Sequence, residues 1–560
     1  MFINQIVYPN YMIWNGYRLF NPFLCYYTIV EMDYELVNVD YGFVSKKIGT
    51  SYWTRYRANI LWIPTGCGKT TFIMDLIEEA KRLDKTVLIV SNRIATDIAI
   101  KCWIADMLGL YSDTPAEQLR DIDVFGNVTI LTYQKLPKYM KNCESKPYYA
   151  VFDEAHYFTS DATFSSGNGY LINEIPWVFQ DSIRVYMSAT MEDVLGYICK
   201  AECTDKAKRR FAMHRDTGWL WHNSGFNNAL YEGLLSNTII PIVYKMEPDF
   251  SHIDLKFVMR DADVEDIIRN SNDKSIVFVD NADYGKSLKD SIGDAIYMDR
   301  HTKDKHPEVL NEIIKNESFD AKILITTSVF CNGCNIKDLG VKNVIILCTD
   351  PTEIIQMVGR VRKISDDQRL NVYIKVIDER KLDHHIKDIN NILGLIDLRY
   401  ENPQKFAGAI IDSAYSYNLI KGIAYPDREG RFSFDWLTKS MLKRRLAFCN
   451  RLKNALQADG TDGYCKIYAE LFNKEYFSEM LINVAVDNFC TWLDSWVDKP
   501  LGDKFYNVFK EKFCRIFKDI KKENRLWRRD ACNNRLLDKE LPYRIDNIRG
   551  EDILRSVQNA

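Results

Sequence analysis

Short runs of β-branched and aromatic residues alternate with polar turns and helical stretches along most of the chain. Runs of this kind, bounded by turn residues, predict buried strands, and the stretches between them have the periodicity of helices. Two series of five strands are predicted, at 59–63, 86–91, 128–131, 150–152 and 184–187, and at 275–279, 295–298, 322–326, 343–347 and 371–376. Strands that alternate with helices form parallel sheets, so the fold class is α/β with two tandem parallel-sheet domains.

The two ends of the chain follow other patterns. The first 50 residues are crowded with aromatic side chains, which we interpret as an extension packed on the first domain rather than a platform for stacking bases. A less regular stretch near 223–259 separates the two series, and beyond residue 400 helical periodicity replaces the strand pattern. The predicted domains are an aromatic-rich N-terminal extension at 1–50, parallel-sheet domains at 51–235 and 236–400, and a C-terminal accessory helical module at 401–560.

Composition narrows the class of protein. A chain of 560 residues exceeds the roughly 250 to 300 at which single cores stop growing, which fits several domains. Lys and Arg number 74 and Asp and Glu 77, so a net charge of -3 excludes a protein that coats a polyanion with its whole surface. The 14 cysteines lack the dense spacing of a secreted scaffold, and the longest apolar run near the N-terminus, 23–30, is too short to cross a membrane. We expect a soluble cytoplasmic protein with reduced thiols and no membrane partner.

Charge is divided unevenly along the chain. Residues 1–400 carry 46 basic and 54 acidic side chains, a net of -8, and residues 401–560 carry 28 and 23, a net of +5. A helix predicted over 504–529 holds ten basic residues against three acids. Its basic face is either ordinary solvated surface or a patch that contacts a nucleic-acid backbone, and the sequence leaves both interpretations open.

A glycine-rich loop connects the strand predicted at 59–63 to an amphipathic helix. Two glycines in this loop allow backbone N–H groups to approach a phosphate closely. Lys69 can reach the β- and γ-phosphates, and the Thr70 hydroxyl is placed for Mg²⁺. The first glycine of the usual pattern is replaced by Ile63, but GxGKT between a strand and a helix is rare as a purely structural turn. The predicted nucleotide-binding residues are Thr65, Gly66, Cys67, Gly68, Lys69, Thr70 and Thr71.

An acidic pair follows the strand predicted at 150–152. A carboxylate at the end of a strand next to a phosphate loop can hold Mg²⁺ through water, which is the role predicted for Asp153. Glu154 would orient and deprotonate the attacking water. The alternative is a surface acidic turn, which the preceding glycine-rich loop makes much less probable.

Together the motifs resemble those of superfamily 2 helicases of the DEAH-box type. The sequence PTGCGKT, the tetrapeptide Asp153-Glu154-Ala155-His156 and the tripeptide Ser188-Ala189-Thr190 stand in the order of motifs I to III. Motifs Ia and Ib would fall at 91–93 and 131–133, and 276–281, 326–336 and 356–363 resemble motifs IV, V and VI. The resemblance covers roughly residues 55 to 380, and the uninterrupted motor is similar to bacterial or phage members.

The resemblance implies two RecA-like domains with ATP in the cleft between them and a nucleic-acid strand across their tops. Lys69, Asp153 and Glu154 would supply catalytic groups from the first domain, and Gln356 and Arg360 from the second, with Arg360 as an arginine finger. The cofactors would be ATP and Mg²⁺, the metal being held through Thr70 and Asp153. The residues implied to couple ATP to the strand are His156, Ser188 and Thr190, and those implied to contact nucleic acid are Arg93, Thr132, Thr326 and Thr327.

Two departures from the family pattern leave questions open. The second arginine of motif VI is represented by Arg362, one place early, or by Lys363, which lacks the planar fork of arginine. No glutamine-based adenine motif precedes Lys69. No metal other than Mg²⁺ is predicted, because isolated cysteines are more often small core residues than ligands, although one set has loosely zinc-like spacing: Cys199, Cys203, His214 and His222.

The sequence therefore predicts an ATP-dependent nucleic-acid helicase or translocase, with DNA slightly favoured over RNA by the resemblance of the phosphate loop. One alternative is a regulatory ATPase clamp that binds nucleic acid without unwinding it. Another is the motor subunit of a defence or nuclease complex, with a nuclease, defence or replication protein as partner. The motifs are common to all three.

Overall fold

The computed structural model describes residues 34–557, with gaps. The residues outside the description are 1–33, 56, 93, 111–118, 120, 144, 161–166, 204–239, 300–312, 314–315, 328–334, 366, 422, 427–430, 519–526 and 558–560. Most of the predicted N-terminal extension, together with Arg93, His214 and His222, thus lies outside the described residues.

The first domain is built on an eight-stranded sheet. Its strands are β1 (Glu35–Val39), β2 (Asn59–Trp62), β3 (Val87–Ser91), β4 (Val124–Phe125), β5 (Val128–Thr132), β6 (Tyr149–Phe152), β7 (Ile183–Ser188) and β8 (Ile242–Met246). The order across the sheet is β1-β8-β2-β7-β6-β3-β5-β4, and only the β4–β5 pair is antiparallel. Every residue of β2, β3, β6 and β7 is buried, as expected for parallel strands covered on both faces. The helices are α1 (Lys69–Arg82), α2 (Ile94–Leu108), α3 (Leu136–Asn142), α4 (Tyr157–Ser160), α5 (Asn168–Val178) and α6 (Leu195–Glu202).

The second domain is built on a parallel seven-stranded sheet. Six of its strands are β9 (Ile253–Val258), β10 (Lys274–Phe278), β11 (Ile296–Met298), β12 (Ile323–Thr326), β13 (Val341–Ile346) and β14 (Leu370–Lys375). They follow the order β11-β12-β10-β13-β14-β9, and the short strand Leu481–Ile482 of the C-terminal region adds to β9. The helices of this part of the chain are α7 (Asp261–Asn270), α8 (Ala282–Ile292), α9 (Pro351–Val358) and α10 (Glu379–Glu401).

These two sheets confirm the predicted α/β class with two tandem RecA-like domains. All ten predicted strands are present, each with bounds within two residues of the prediction. The stretch near 223–259 differs, because it contains β8 in the first sheet and β9 in the second. Sheet membership therefore changes between residues 246 and 253, beyond the predicted boundary at 235/236. Strand β9 was not predicted because it carries Asp254 and Lys256 among its apolar residues, as strands near a sheet edge do.

The C-terminal region is helical, as predicted, with short antiparallel strand pairs added. Its elements are α11 (Pro403–Ile411), α12 (Ala414–Ile420), β15 (Tyr425–Pro426), β16 (Phe432–Ser433), α13 (Trp436–Leu471), β17 (Leu481–Ile482), α14 (Val484–Asp494), α15 (Asp503–Phe517), α16 (Arg529–Asp538), β18 (Tyr543–Ile548) and β19 (Glu551–Ser556). Stacked and edge-on aromatic rings fill the core of its last part, for example Trp492 on Phe505 at 5.2 Å. Such pairs stabilise a core beyond the apolar area they bury.

The basic helix predicted over 504–529 is shorter than expected. Helix α15 ends at Phe517 because Lys518 has the left-handed φ of 52°. Part of its basic face is used inside the chain: Arg515 Nη2 lies 2.7 Å from Asp266 Oδ1, and Lys518 pairs with Asp261. Both acids belong to α7, so this face docks the C-terminal region on the second domain.

Helix α13 connects the two sheet domains from outside. At its N-terminal end Leu437 lies in the core of the first domain, and Trp436 meets the Tyr197 ring edge-on at 5.4 Å. Farther along, Leu452 and Tyr464 lie in the core of the second domain. At Gly460 φ is 61° and ψ is -146°, which is not a helical conformation, so α13 consists of two helical segments, 436–459 and 461–471. The first segment by itself packs into both halves of the molecule, through Leu437 and Leu452.

Candidate active site at the cleft between the sheets

The phosphate loop lies between β2 and α1. Gly68 caps the N-terminus of α1 with a left-handed φ of 78°, and a Cβ there would lie 2.7 Å from the ring of Phe43. The Val44 N–H donates to the Cys67 carbonyl oxygen at 2.9 Å, so the segment before β2 holds the loop from outside. The first helical turn thus presents its free N–H groups to the cleft, where they favour an anion.

Lys69 lies at the centre of this loop. Its Nζ donates to the carbonyl oxygens of Ile63 at 2.9 Å and Pro64 at 3.3 Å. Burial lowers the pKa of Lys69, although Glu154 and Asp153 oppose the shift, and Arg362 lowers it further. An anion in the cleft would restore the balance by stabilising the charged form.

The acidic pair at the end of β6 faces the loop. Glu154 has a left-handed φ of 50°, an uncommon conformation for a residue with a side chain, which turns the chain sharply after the strand. Burial and the neighbouring Glu154 raise the pKa of Asp153 to about 7. Burial also acts to raise the pKa of Glu154, but the hydrogen bond with His156 and the charge of Lys69 outweigh it and hold that pKa below its usual range. The neighbouring positive charges therefore do not fully balance the negative charge of the Asp153 carboxylate.

A polar bridge joins the two domains beside this pair. The Gln356 side-chain amide of α9 donates to His156 Nε2 and to Thr190 Oγ1, both at 2.9 Å. On its other side the His156 ring places Nδ1 3.0 Å from Ser188 Oγ and 3.3 Å from Glu154 Oε2. The structure therefore brings together all three predicted coupling residues, one predicted catalytic residue of the second domain and the acidic pair.

Two arginines of the second domain point into the cleft. Arg360 is 5% exposed, and its Nη2 lies 3.8 Å from Glu154 Oε1. Among the described residues, Arg360 Nε and Nη2 and Arg362 Nη1 are buried without a hydrogen-bond partner. Burial and the charge of Arg360 lower the pKa of Arg362 to about 10, so the Arg362 guanidinium group stays charged at neutral pH.

The two candidates for the second arginine of motif VI face different ways. Arg362 Nε and Nη2 donate to Asn335 Oδ1 at 3.0 and 2.5 Å, and a Cβ on Gly66 of the phosphate loop would lie 3.5 Å from Arg362 Nη1. Lys363 instead places its Nζ 3.5 Å from Asp249. Of the two, Arg362 is the one beside the phosphate loop.

The cleft is a cavity of about 1100 Å³. Its wall includes the phosphate loop, the acidic pair and both arginines, and also the exposed rings of Tyr41 and Phe43. Gly359 closes the cleft at one point, since a Cβ there would lie 2.3 Å from Thr65 Oγ1. Tyr41, Phe43 and Gly359 were not predicted as site residues, although the many aromatic residues among the first 50 could have indicated the two rings.

The predicted nucleic-acid contacts are placed unevenly. Thr132 is the last residue of β5 and Thr327 directly follows β12, so both lie at carboxyl ends of strands. Thr326 is fully buried, and its hydroxyl donates to the Met298 carbonyl oxygen at 2.9 Å, so that side chain is used within the sheet. Arg93 lies outside the described residues.

Metal-ligand clusters and membrane-spanning helices are both absent from the described residues. No group of three or more His, Cys, Asp or Glu side chains there is arranged to hold a metal ion. Of the zinc-like set, Cys199 is buried in the first domain's core and both histidines fall in the gap at 204–239. No helix in the described part of the chain combines the length and the apolar character needed to span a membrane.

Several solved structures are similar to the chain at low sequence identity. The chain is similar to S. cerevisiae Dbp5 bound to RNA and ADP BeF3, with 16% identity, a TM-score of 0.37, and coverage of 58% of this chain and 81% of that chain. It is similar to Mss116p bound to ssRNA and AMP-PNP, with 17% identity, a TM-score of 0.38, and coverage of 76% and 83%. It is also similar to the Mycobacterium smegmatis helicase Lhr bound to ssDNA and AMP-PNP, with 14% identity, a TM-score of 0.37, and coverage of 69% and 57%. No curated protein matches the chain in sequence.

Family models match both sheet domains. Residues 39–193 match the model described as type III restriction enzyme, res subunit, and residues 260–365 match the helicase conserved C-terminal domain. The first match contains the phosphate loop, the acidic pair and the residues of the polar bridge from the first domain. The second contains Gln356, Arg360 and Arg362. The two matched regions thus resemble, respectively, the res subunit of type III restriction enzymes and the conserved C-terminal domain of helicases.

Proposed function

We propose that this chain hydrolyses ATP in the cleft and couples hydrolysis to movement along a nucleic-acid strand. The observation that carries the proposal is the set of buried guanidinium N–H groups of Arg360 and Arg362, which have no hydrogen-bond partner among the described residues and face the phosphate loop. Unpaired buried donors are costly in a folded protein. Three phosphates between the two domains would satisfy them.

Each predicted catalytic residue has a role that its position supports. Lys69 and the loop N–H groups would bind the β- and γ-phosphates, and Arg360 would stabilise the charge that develops on the γ-phosphate. Glu154 would orient the attacking water and accept its proton, since it follows β6 directly and faces the phosphate loop across the cleft. Arg360 belongs to the second domain, so hydrolysis requires a closed cleft.

The chain's residues also fit a magnesium ion. Thr70 is the second residue of α1, and burial together with Glu154 raises the pKa of Asp153, a carboxyl group that a bound cation would stabilise in its charged form. A bound Mg²⁺ would neutralise charge on the phosphate oxygens. Asp153 and Thr70 would hold it, as oxygen ligands suit this hard cation.

The polar bridge would couple ATP to the strand. His156, Ser188, Thr190 and Gln356 form one connected set of hydrogen bonds between the acidic pair and α9. Loss of the γ-phosphate would release Arg360 and loosen this set, and the strand held by Thr132, Thr327 and Arg93 would then shift. We further propose a DEAH-type enzyme with a preference for DNA, on the resemblance of its motifs.

A motor subunit of a defence or nuclease complex is the second candidate. The match of residues 39–193 to the model of a type III restriction enzyme subunit favours it over a regulatory clamp. In that case a partner protein would supply strand cleavage. We further propose a location in the cytoplasm, because the 14 cysteines of the chain lack the dense spacing of a secreted scaffold.

The test compares purified wild-type protein with Lys69→Ala, Glu154→Gln and the exposed control Glu78→Gln. ATP hydrolysis is measured alone, with single-stranded DNA and with single-stranded RNA, beside strand displacement on matched duplexes. We expect stimulation by the polymer, loss of hydrolysis in both cleft variants, and retained ATP binding in Glu154→Gln. Stimulation without displacement would support the motor or clamp alternatives, whereas normal turnover by Glu154→Gln would contradict the assignment of the site.

A further inference from the structure

Two consecutive arginines of α13 reach opposite sides of the cleft. Arg444 forms an ion pair with Asp193, which follows β7 in the first domain. Arg445 Nε lies 3.2 Å from Oδ2 of Asp350, which precedes α9 in the second domain. Helix α13 lies outside both family matches, which end at residue 365.

Both acids also hold the first turn of α9. The second carboxylate oxygen of Asp193 accepts a hydrogen bond from Thr352 Oγ1 at 2.8 Å. Asp350 caps the helix, because its Oδ1 accepts from the Thr352 N–H at 2.9 Å and the Glu353 N–H at 3.3 Å. Each arginine therefore contacts a carboxylate that is already bonded to the same helix end.

This helix end positions the polar bridge. Thr352 and Gln356 are four residues apart on α9, so their side chains lie on one face of the helix. Thr352 contacts Asp193, and one turn later Gln356 contacts Thr190 and His156. A shift of the first turn away from the first domain would therefore draw Gln356 away from the acidic pair.

The charges at this point are partly shielded from water. Asp193 is 10% exposed and Arg444 is 23% exposed, and Arg444 lines the same cavity as the phosphate loop. Ion pairs in such a setting are screened less than those on an open surface. Removal of Arg444 would leave the Asp193 carboxylate without this neighbouring positive charge at the point where the two domains meet.

We propose that Arg444 and Arg445 are positioning residues for ATP hydrolysis, which clamp α9 to the first domain and so hold Gln356 and Arg360 against the acidic pair. The inference rests on the proposed function, since it names what regulates that same site. It makes the C-terminal region an intramolecular activator of the motor, acting through the face of α13 that spans the cleft.

The test uses the full chain with Arg444→Ala, Arg445→Ala and the double variant. Arg451→Ala is the matched control, because Arg451 lies on the same helix but pairs with Glu470 of that helix at 2.7 Å. With saturating nucleic acid we expect kcat for ATP to fall roughly 10- to 100-fold in the double variant, with an unchanged Kd for a fluorescent ATP analogue. A brace needed only for folding would lower the melting temperature and nucleotide binding together.

Two further variants keep the test decisive if the alanine variants fold poorly. Arg444→Lys should retain most of the rate, and Arg445→Lys should do the same, because lysine keeps a positive charge beside Asp350. A double alanine variant that is folded and turns over like wild type would overturn the proposal, as would lysine variants that are as slow as the alanine variants.

Cleft closure is measured separately from hydrolysis. Dyes are attached through unnatural amino acids at Tyr52 and Asp290, two exposed positions on the first and second domains, and energy transfer between them is recorded without ATP. We expect lower transfer in the double alanine variant than in wild type, and equal transfer would overturn the proposal. If transfer were lower in the double variant than in wild type, but wild type showed no nucleic-acid-dependent ATP hydrolysis, the proposed function would be wrong. The proposed role of Arg444 and Arg445 in closing the cleft would still hold.

Discussion

Gln356 donates its side-chain amide to His156 Nε2 at 2.9 Å across the cleft between the two sheets. On the other side of the ring, His156 Nδ1 lies 3.0 Å from Ser188 Oγ and 3.3 Å from Glu154 Oε2. The second domain thus contacts a histidine that also lies beside the predicted catalytic carboxylate. A change at Gln356 should be felt at Glu154 although the two side chains do not touch.

Gln356→Ala tests this relationship directly. The substitution would leave His156 Nε2 and the Thr190 hydroxyl buried without their partner, at a cost of about 1 to 3 kcal/mol in the closed arrangement. We expect nucleic-acid-stimulated kcat to fall roughly 5- to 150-fold. Gln457→Ala, which removes an exposed amide on α13, is the control and should leave the rate unchanged. Equal rates for the two variants would show that the bridge is dispensable.

Gly359→Ala should hold the cleft open. The backbone there is right-handed with φ of -64°, so alanine brings no strain of its own, but its Cβ would meet Thr65 Oγ1 at 2.3 Å. We expect stimulated ATP hydrolysis to be lost while the melting temperature changes little. Gly394→Ala on the exposed side of α10 has open space around it and serves as the control. A wild-type rate for Gly359→Ala would mean that hydrolysis does not need this contact.

Arg362 and Lys363 should differ sharply in their contribution. Removal of one preorganised donor to developing charge typically lowers kcat by roughly 10²- to 10³-fold, which is the loss we expect for Arg362→Ala. Lys363→Ala should have little effect, because Lys363 forms a partly exposed pair with Asp249, and such pairs contribute little. Steady-state ATPase rates of the two variants check this, and a larger loss for Lys363→Ala would reverse the assignment.

Glu202→Ala should destabilise the first domain. Glu202 accepts from Arg184 Nε at 2.9 Å and from the Tyr186 hydroxyl at 2.8 Å, and both Glu202 and Arg184 are less than 5% exposed. Breaking a buried pair on one side costs about 3 to 5 kcal/mol because it leaves a buried charge uncompensated. Urea denaturation measures this loss as a lower free energy of unfolding in the transition of the first domain. Arg555→Ala, which breaks an exposed pair, should leave that transition unchanged.

The sequence predicted what depends on local patterns. The ten strands were predicted from continuous apolar runs, and the phosphate loop and acidic pair from residue types at fixed distances from strand ends. Strand β8 was missed because its apolar residues are interrupted by Lys245, and it joins the first sheet only through pairing with β1 and β2. Pairing between distant segments leaves no mark on a short window of sequence.

Several other contacts at the cleft, those of Arg444, Phe43 and Gly359, could not be predicted from the sequence. Arg444 belongs to a helix about 250 residues after Asp193, and nothing in either segment alone indicates that they meet. Phe43 was one aromatic residue among many in a crowded stretch, and only the structure places it against Gly68. Gly359 likewise has an ordinary helical backbone, so its importance comes from what lies opposite it.

Helix α13 has a mechanical consequence. Between Leu437, in the first domain's core, and Leu452, in the second's, it contains neither glycine nor proline, and at 1.5 Å per residue this segment is about 22 Å of stiff rod. A helical segment of that kind would not shorten if the cleft opened, so a rotation of one domain relative to the other would appear as sliding at one of its two ends. Such a movement would change the outer surface of the molecule, where another protein could bind without entering the cleft.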